Sequence, residues 1–271
     1  MIRKVNGNTY FTDFNSVSDL INFIDTKEPY DNFKNKKGGC DSISGDKSFT
    51  ETESFDEAKD LLLHGWECGT RRIRRKLDFK NTENVLKQKP CYDIQGYQCS
   101  VPRYLQGIPT NMINNKVVTQ KNKVITINKM CTYYGKVTTS QIIDESVKVL
   151  KLINELEKQG YRVNLNVIFG SRKIKNSMVR IKIKQSSQRM NLKQMAFPLV
   201  HPSMLRRIIF AVWERCEENS TGGFEYGYGA VMDRRLLINE LKKITNVKGE
   251  YLIPNIVNEE EITDIEKYKI N

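Results

Sequence analysis

KVITINKM (residues 123–130), YRVNLNVIF (161–169) and MVRIKIKQ (178–185) decide the fold of this chain. All three runs are short and β-rich, and the second and third alternate apolar with polar residues, the mark of strands. Between the first two, Thr139 to Gln159 repeats its apolar residues at helical spacing. Strand, long helix, strand predicts two parallel strands joined by a right-handed crossover, the unit of an α/β sheet. The residues between Phe169 and Met178 (GSRKIKNS) suit a hairpin, so the third strand should run antiparallel. In that strand Val179, Ile181 and Ile183 point one way and Arg180, Lys182 and Lys184 the other, because the side-chain period is two. The expectation is an edge strand with one buried face, its cations turned to water or a partner and guarding the edge against unwanted pairing.

Working outward, helices are predicted over Phe14–Asp25, from Ser54 to Gly65, from Asn191, from Ser203 through MLRRIIFAVWERCEE, over Asp233–Ile244 and over Glu259–Lys267, with a short strand at Tyr251–Ile253. Ser54 followed three residues later by Glu57 is a capping-box pattern. Residues 31–50 and 219–230 read as loops, and residues 90–121 as irregular, broken by Pro90, Pro102 and Pro109. Val101, Tyr104, Leu105, Ile108 and Met112 should be buried against the core. The expected class is α/β, a mixed and mostly parallel sheet with flanking helices. Residues 1–90 form a small helical or irregular N-terminal region, and residues 91–271 a core domain with an extended lead-in.

The net charge of +12 is concentrated in the middle of the chain. Residues 1–60 hold 8 Lys/Arg against 12 Asp/Glu, residues 61–247 hold 33 against 14, and residues 248–271 hold 3 against 6. A basic middle between acidic ends suits a polyanion or an acidic protein surface. The densest cluster is GTRRIRRK (69–76): on a helix Ile73 and Leu77 share a face while Arg71, Arg72, Arg74 and Arg75 fan outward. Guanidinium groups suit bidentate contact with phosphate or carboxylate, and pairing with the acidic N-terminal segment is the competing reading. Further candidate contacts are Arg172, Lys173 and Lys175 beside Arg180, Lys182 and Lys184.

Catalytic chemistry finds little support. The two histidines, His64 and His201, read as a helix C-terminal cation and a packing residue among Pro198, Val200 and Pro202. Carboxylates form no D-x-E or E-x-K pair beside a strand, and Glu259–Glu261 read as a solvated helix start. Cys40, His64, Cys68, Cys91 and Cys99 supply only one close-spaced ligand pair, too few for a zinc site, so no metal and no cofactor is expected. No apolar run reaches a membrane span and no signal-peptide core is evident, which reads as a soluble intracellular protein with reduced thiols.

Strand, helix, strand and antiparallel strand over about residues 120–270 resemble the von Willebrand factor A-type fold. That family's metal site needs Asp-x-Ser-x-Ser after the first core strand. Here Asn128-Lys-Met-Cys-Thr132 stands in its place, so the resemblance implies a sheet without the metal chemistry. A dinucleotide fold is disfavoured, since no G-x-G-x-x-G follows a strand. Three other stretches, GDKSFTETESFDEAKDLLLHGW (45–66), VPRYLQGIPTNM (101–112) and MAFPLVHPSMLRRIIF (195–210), resemble a family of uncharacterised tailed-bacteriophage and prophage proteins. The signature residues are Gly45-Asp46, Ser54 to Ala58 and Gly65-Trp66, and Glu51 stands where a glycine is expected. The resemblance implies a phage protein of the host cytoplasm or the virion and brings no catalytic residues. Three functions stay open: a non-enzymatic accessory protein contacting nucleic acid, a protein-interaction module of phage assembly or host takeover, and a metal-dependent nuclease.

Overall fold

The computed structural model describes residues 1–31, 33, 47–77, 88–117, 123–172, 176–217, 230–244, 249–255 and 265–270. In chain order the elements are β1 (Ile2–Asn6), β2 (Thr9–Phe14), α1 (Val17–Thr26), α2 (Lys47–Thr50), α3 (Phe55–His64), α4 (Glu67–Leu77), β3 (Gln88–Asp93), β4 (Gln98–Cys99), α5 (Val101–Leu105) and β5 (Met112–Val117). There follow β6 (Val124–Met130), α6 (Thr139–Lys158), β7 (Arg162–Arg172), β8 (Asn176–Lys184) and α7 (Leu192–Val200). A π-helical stretch (Met204–Ile209), α8 (Phe210–Glu214), β9 (Ala230–Val231), α9 (Arg234–Ile244), β10 (Glu250–Ile253) and a 3-10 turn (Ile265–Tyr268) complete it.

The main sheet has the order β1-β2-β8-β7-β6-β10, with β9 pairing the end of β7. Three of the five ladders along that path are parallel: β2 with β8, β6 with β7, and β6 with β10. The fold is therefore α/β with a mixed, mostly parallel sheet. The predicted core unit is present: β6, α6 and β7 make the parallel crossover, and β8 turns back antiparallel. Helix α6 begins in a complete capping box, Thr138 with Gln141, and buries Ile142, Val149, Leu150 and Ile153. Ser54 caps α3, its hydroxyl accepting from the Glu57 N–H at 3.0 Å.

Alternation along the strands divides the sheet into two buried faces. Phe14, Leu165, Val167, Phe169, Val179, Ile181 and Ile127 join the large core with α1, α3, α4, α6, α7 and α8. Phe11, Met130, Ile168, Met178 and Leu252 face the other way and pack with Met232 and with Leu237 and Leu241 of α9.

Two expectations are corrected here. The N-terminal region is not purely helical or irregular, because β1 and β2 form a hairpin on Gly7 (φ +57°) and extend the sheet. Consequently β8 is not an edge strand but lies between β2 and β7. Its polar row does not face water. Arg180 forms a bidentate pair with Asp13, its register partner on β2, at 3.0 and 2.5 Å, and its second terminal nitrogen lies 3.6 Å from Glu250. Lys184 is 2% exposed and donates to Glu157 of α6 at 2.6 Å and to the Val163 carbonyl at 3.0 Å. Lys182 is half-buried.

The chain divides into two compact units, residues 1–78 with 124–271 and residues 79–123. The second interrupts the first between α4 and β6, so the units do not follow a single cut near residue 90. It holds a three-stranded antiparallel sheet of order β3-β5-β4, plus α5. Residues 90–117 are thus more regular than their prolines suggest. Val101, Tyr104 and Leu105, expected inside, are 61–78% exposed.

Glu51, where a glycine was expected, has φ +61° and is, among the described residues, the one non-glycine in the left-handed region. It ends α2, its N–H bonding the Lys47 carbonyl at 2.8 Å, and its carboxylate accepts from the Thr139 hydroxyl. Glycine removes a left-handed penalty of about 1–2 kcal/mol and returns roughly 0.4–1 kcal/mol to unfolded-chain entropy. Glu51→Gly should therefore leave the urea midpoint unchanged or raised, whereas Glu51→Val should lower it. In β8, Lys184→Glu should cost about 3–5 kcal/mol by setting a buried carboxylate against Glu157. Lys182→Glu should cost far less in the same urea titration.

Candidate functional site

Helix α4 is rolled into place by Trp66, the buried residue before it. A Cβ on Gly69 would lie 1.9 Å from the Trp66 ring, so the ring packs flat on bare backbone. The Thr70 hydroxyl donates to the Trp66 carbonyl at 2.9 Å. With Gly69, Thr70, Ile73 and Leu77 buried, the helical period sends Arg71, Arg72, Arg74 and Arg75 outward, and all four are exposed as predicted. Among the described residues none of the four meets a carboxylate, and the pairing with the acidic N-terminal segment is not seen. Neighbouring Lys76 differs, bound to Asp144 of α6 at 2.5 Å. Arg71 and Arg75 sit four residues apart, as like charges that weaken the helix by a few tenths of a kcal/mol. An anion lying along α4 would remove that repulsion.

The other predicted contacts are dispersed. Arg172 is exposed at the end of β7, opposite Ala230. Lys173 and Lys175 lie outside the described residues. Arg180 and Lys184 are held in internal ion pairs, which leaves half-buried Lys182 as the remainder of the β8 row. Of the predicted contacts among the described residues, those open to a partner are thus the four arginines of α4 and Arg172.

The crevice beyond the C-terminal ends of β6 and β10, where open α/β sheets commonly hold ligands, is closed by the chain itself. Lys129, fully buried, donates to Glu145 of α6, to the Met130 carbonyl at 2.7 Å and to the Pro254 carbonyl at 3.0 Å. Its ammonium also lies 5.5 Å from the centre of the Tyr133 ring. Burial pushes the Cys131 thiol up to about 12, although Lys129 pulls the other way. Burial likewise holds the Tyr133 hydroxyl well above its ordinary value, with Cys131 and Glu145 adding to it. A thiol so displaced is inert at neutral pH. Sequence reading placed Lys129 here but did not foresee Glu145 as its partner. The Glu145 signal was a carboxylate on the apolar side of a helix, beside Ile142 and Val149.

A narrow cavity of about 20 Å³, room for one water, lies between Cys131, Tyr133, Phe169, His201 and the π-helical turn with Leu205 and Arg206. His201 is a packing residue, as read from its prolines. Its ring stacks on Phe197 at 4.8 Å and meets Trp66 edge-on at 4.6 Å, and Nδ1 accepts from the Ser203 N–H at 3.1 Å. His64 is exposed at the end of α3, with Nε2 3.5 Å from Asp60. Cys68 and Cys99 are exposed and Cys91 half-buried, while Cys40 lies outside the described residues. No group of three or more His, Cys, Asp or Glu able to hold a metal occurs among the described residues.

Desolvation lowers His201 to about 4. The native state therefore favours the neutral ring, and the unfolded chain binds the proton first as pH falls below about 6.5. Stability from this group is complete above that pH and is lost towards pH 4, by roughly 3 kcal/mol. His201→Asn should be less stable at pH 7.5, and its unfolding free energy should fall less between pH 7 and 5, measured by urea titration at each pH.

Among the described residues no single helix is long and apolar enough to cross a membrane. No curated protein and no solved structure matches the chain. One family model does, that of a domain of unknown function (DUF7192), over residues 2–269. Sheet, helices and inserted unit all fall within that span, and the chain belongs to the DUF7192 family.

Proposed function

We propose that this protein is a non-enzymatic accessory factor that contacts nucleic acid through the arginine face of α4. The observation that carries the reading is four exposed arginines without a carboxylate among the described residues, on a helix whose roll is fixed by Trp66, Gly69, Ile73 and Leu77. Guanidinium groups held on a rigid element pair with phosphate oxygens in bidentate fashion and lose little freedom in doing so. The excess of cations over residues 61–247 adds long-range attraction. An acidic protein surface would use the same face, but the fixed spread of arginines around one helix suits a repeating phosphate backbone.

The phage setting, with residence in the host cytoplasm or the virion, rests on the three stretches quoted above. The A-type likeness is supported by β6, α6, β7 and antiparallel β8 in succession. Lys129 weighs against metal chemistry of that fold's kind here, since its ammonium stands at the end of the first core strand.

A salt titration of duplex DNA binding tests the proposal. Binding should weaken with a clear log–log slope, and Arg→Gln at positions 71, 72, 74 and 75 together should reduce that slope by about one per phosphate contact removed. Circular dichroism should be unchanged, because the four side chains are exposed. No binding of either duplex or single-stranded DNA at low salt, or a slope near zero, overturns the reading.

A further inference from the structure

The second unit carries a surface that the arginine face of α4 does not explain. Six of the fourteen large exposed hydrophobic side chains among the described residues fall between positions 92 and 105, and three of these are tyrosines. Tyr92, Tyr97 and Tyr104 are 50, 65 and 64% exposed. Rings of that size are ordinarily drawn into a core or an interface, and a cluster of them on a small unit marks a contact surface.

Their placement is built. Tyr92 on β3 pairs across Ile113 of β5, whose other neighbour is Gln98 of β4, so these three residues share one cross-strand row. Tyr97 is fixed where the chain enters β4 by its N–H on the Ile113 carbonyl at 3.0 Å. The preceding turn passes only because residue 96 is glycine: a Cβ there would lie 2.2 Å from the Ile113 carbonyl oxygen. The Arg103 guanidinium stands 4.0 Å from the centre of the Tyr92 ring, in stacking contact, and Tyr104 follows it on α5. The unit is also basic, with seven Lys/Arg against two Asp/Glu over residues 79–123. One of those carboxylates, Asp93, accepts a hydrogen bond from the Ile94 N–H at 2.8 Å.

We propose that Tyr92, Tyr97 and Tyr104, with Arg103, form a stacking platform for the unpaired bases of a single-stranded nucleic acid. The inference rests on the nucleic-acid reading above and deepens it, adding a contact to unpaired bases that belongs to the inserted unit by itself. Aromatic faces accept any unstacked base, arginine adds cation–π attraction, and a net positive unit draws the backbone in. A duplex keeps its base faces stacked inside and offers such a platform nothing. An apolar protein partner would have less use for the excess of cations.

The test uses the full chain with oligo-dT and oligo-U as single strands and a duplex of equal length. Both single strands should bind. Replacing Tyr92, Tyr97 and Tyr104 together by Ala should lower their affinity by at least about tenfold and leave duplex binding unchanged. The triple Tyr→Phe variant should keep wild-type affinity, because phenylalanine stacks without the hydroxyl. Single-strand binding unaffected by the Ala variant overturns the platform, as does equal loss in the Phe variant. Duplex binding with no binding of either single strand overturns the platform alone. Failure of every nucleic acid to bind at low salt overturns this inference and the α4 reading together.

Discussion

Placing β8 inside the sheet requires that its cations be neutralised where they stand. A buried ammonium or guanidinium without a partner costs several kcal/mol, a large share of a domain's whole stability. Three carboxylates from three separate parts of the chain meet the need: Asp13 from the N-terminal hairpin, Glu157 from α6 and Glu250 from β10. The sheet that joins β1 to β10 depends on this arrangement. The same chemistry recurs at Lys129 and Glu145, where a second buried pair locks the end of β6 against α6. Charge in this protein thus has two roles that composition alone cannot separate. Part of it is spent inside, holding distant segments in register, and part stands exposed on α4.

That division explains what could be read from the residues and what could not. The crossover β6-α6-β7 and the antiparallel return of β8 were legible because their signals are local: period two, period 3.6, a capping box and a short hairpin connection. The outward fan of Arg71, Arg72, Arg74 and Arg75 was legible for the same reason, since two apolar residues four apart fix the roll of a helix. The fate of Arg180 and Lys184 was not legible. An alternating Arg-Ile-Lys-Ile-Lys run looks identical whether its polar face meets water or meets Asp13 and Glu157, and the deciding residues lie far away in sequence. An available hint was Gly7-Asn8, a two-residue hairpin signal ahead of TYFTDF, which would have placed a strand pair near the N-terminus. Val101, Tyr104 and Leu105 failed in the opposite direction. Sequence logic buries large apolar side chains by default, and only their place on the short α5 of a small separate unit shows them exposed.

The two surfaces also differ in how they are held. The α4 face belongs to the large core, and its orientation follows from the packing of Trp66 on Gly69. The tyrosines belong to a unit with its own three-stranded sheet, inserted between two elements of the first. Each surface is fixed within its own unit, so each can be altered without disturbing the other.

The pairing of β2 with β8 has a temporal consequence. Thr9 and Asn176 are register partners, so the chain must close a loop of about 167 residues before this ladder can form. At about 5–20 residues per second, the ribosome delivers β8 roughly 8–33 seconds after β2. Throughout that interval TYFTDF lacks its β8 neighbour and Asp13 lacks its arginine. A charged residue within an unpaired strand, as Asp13 is near the end of β2, discourages capture by other chains. The carboxylate that pairs Arg180 in the finished protein thus also guards its strand for as long as the arginine has yet to be made.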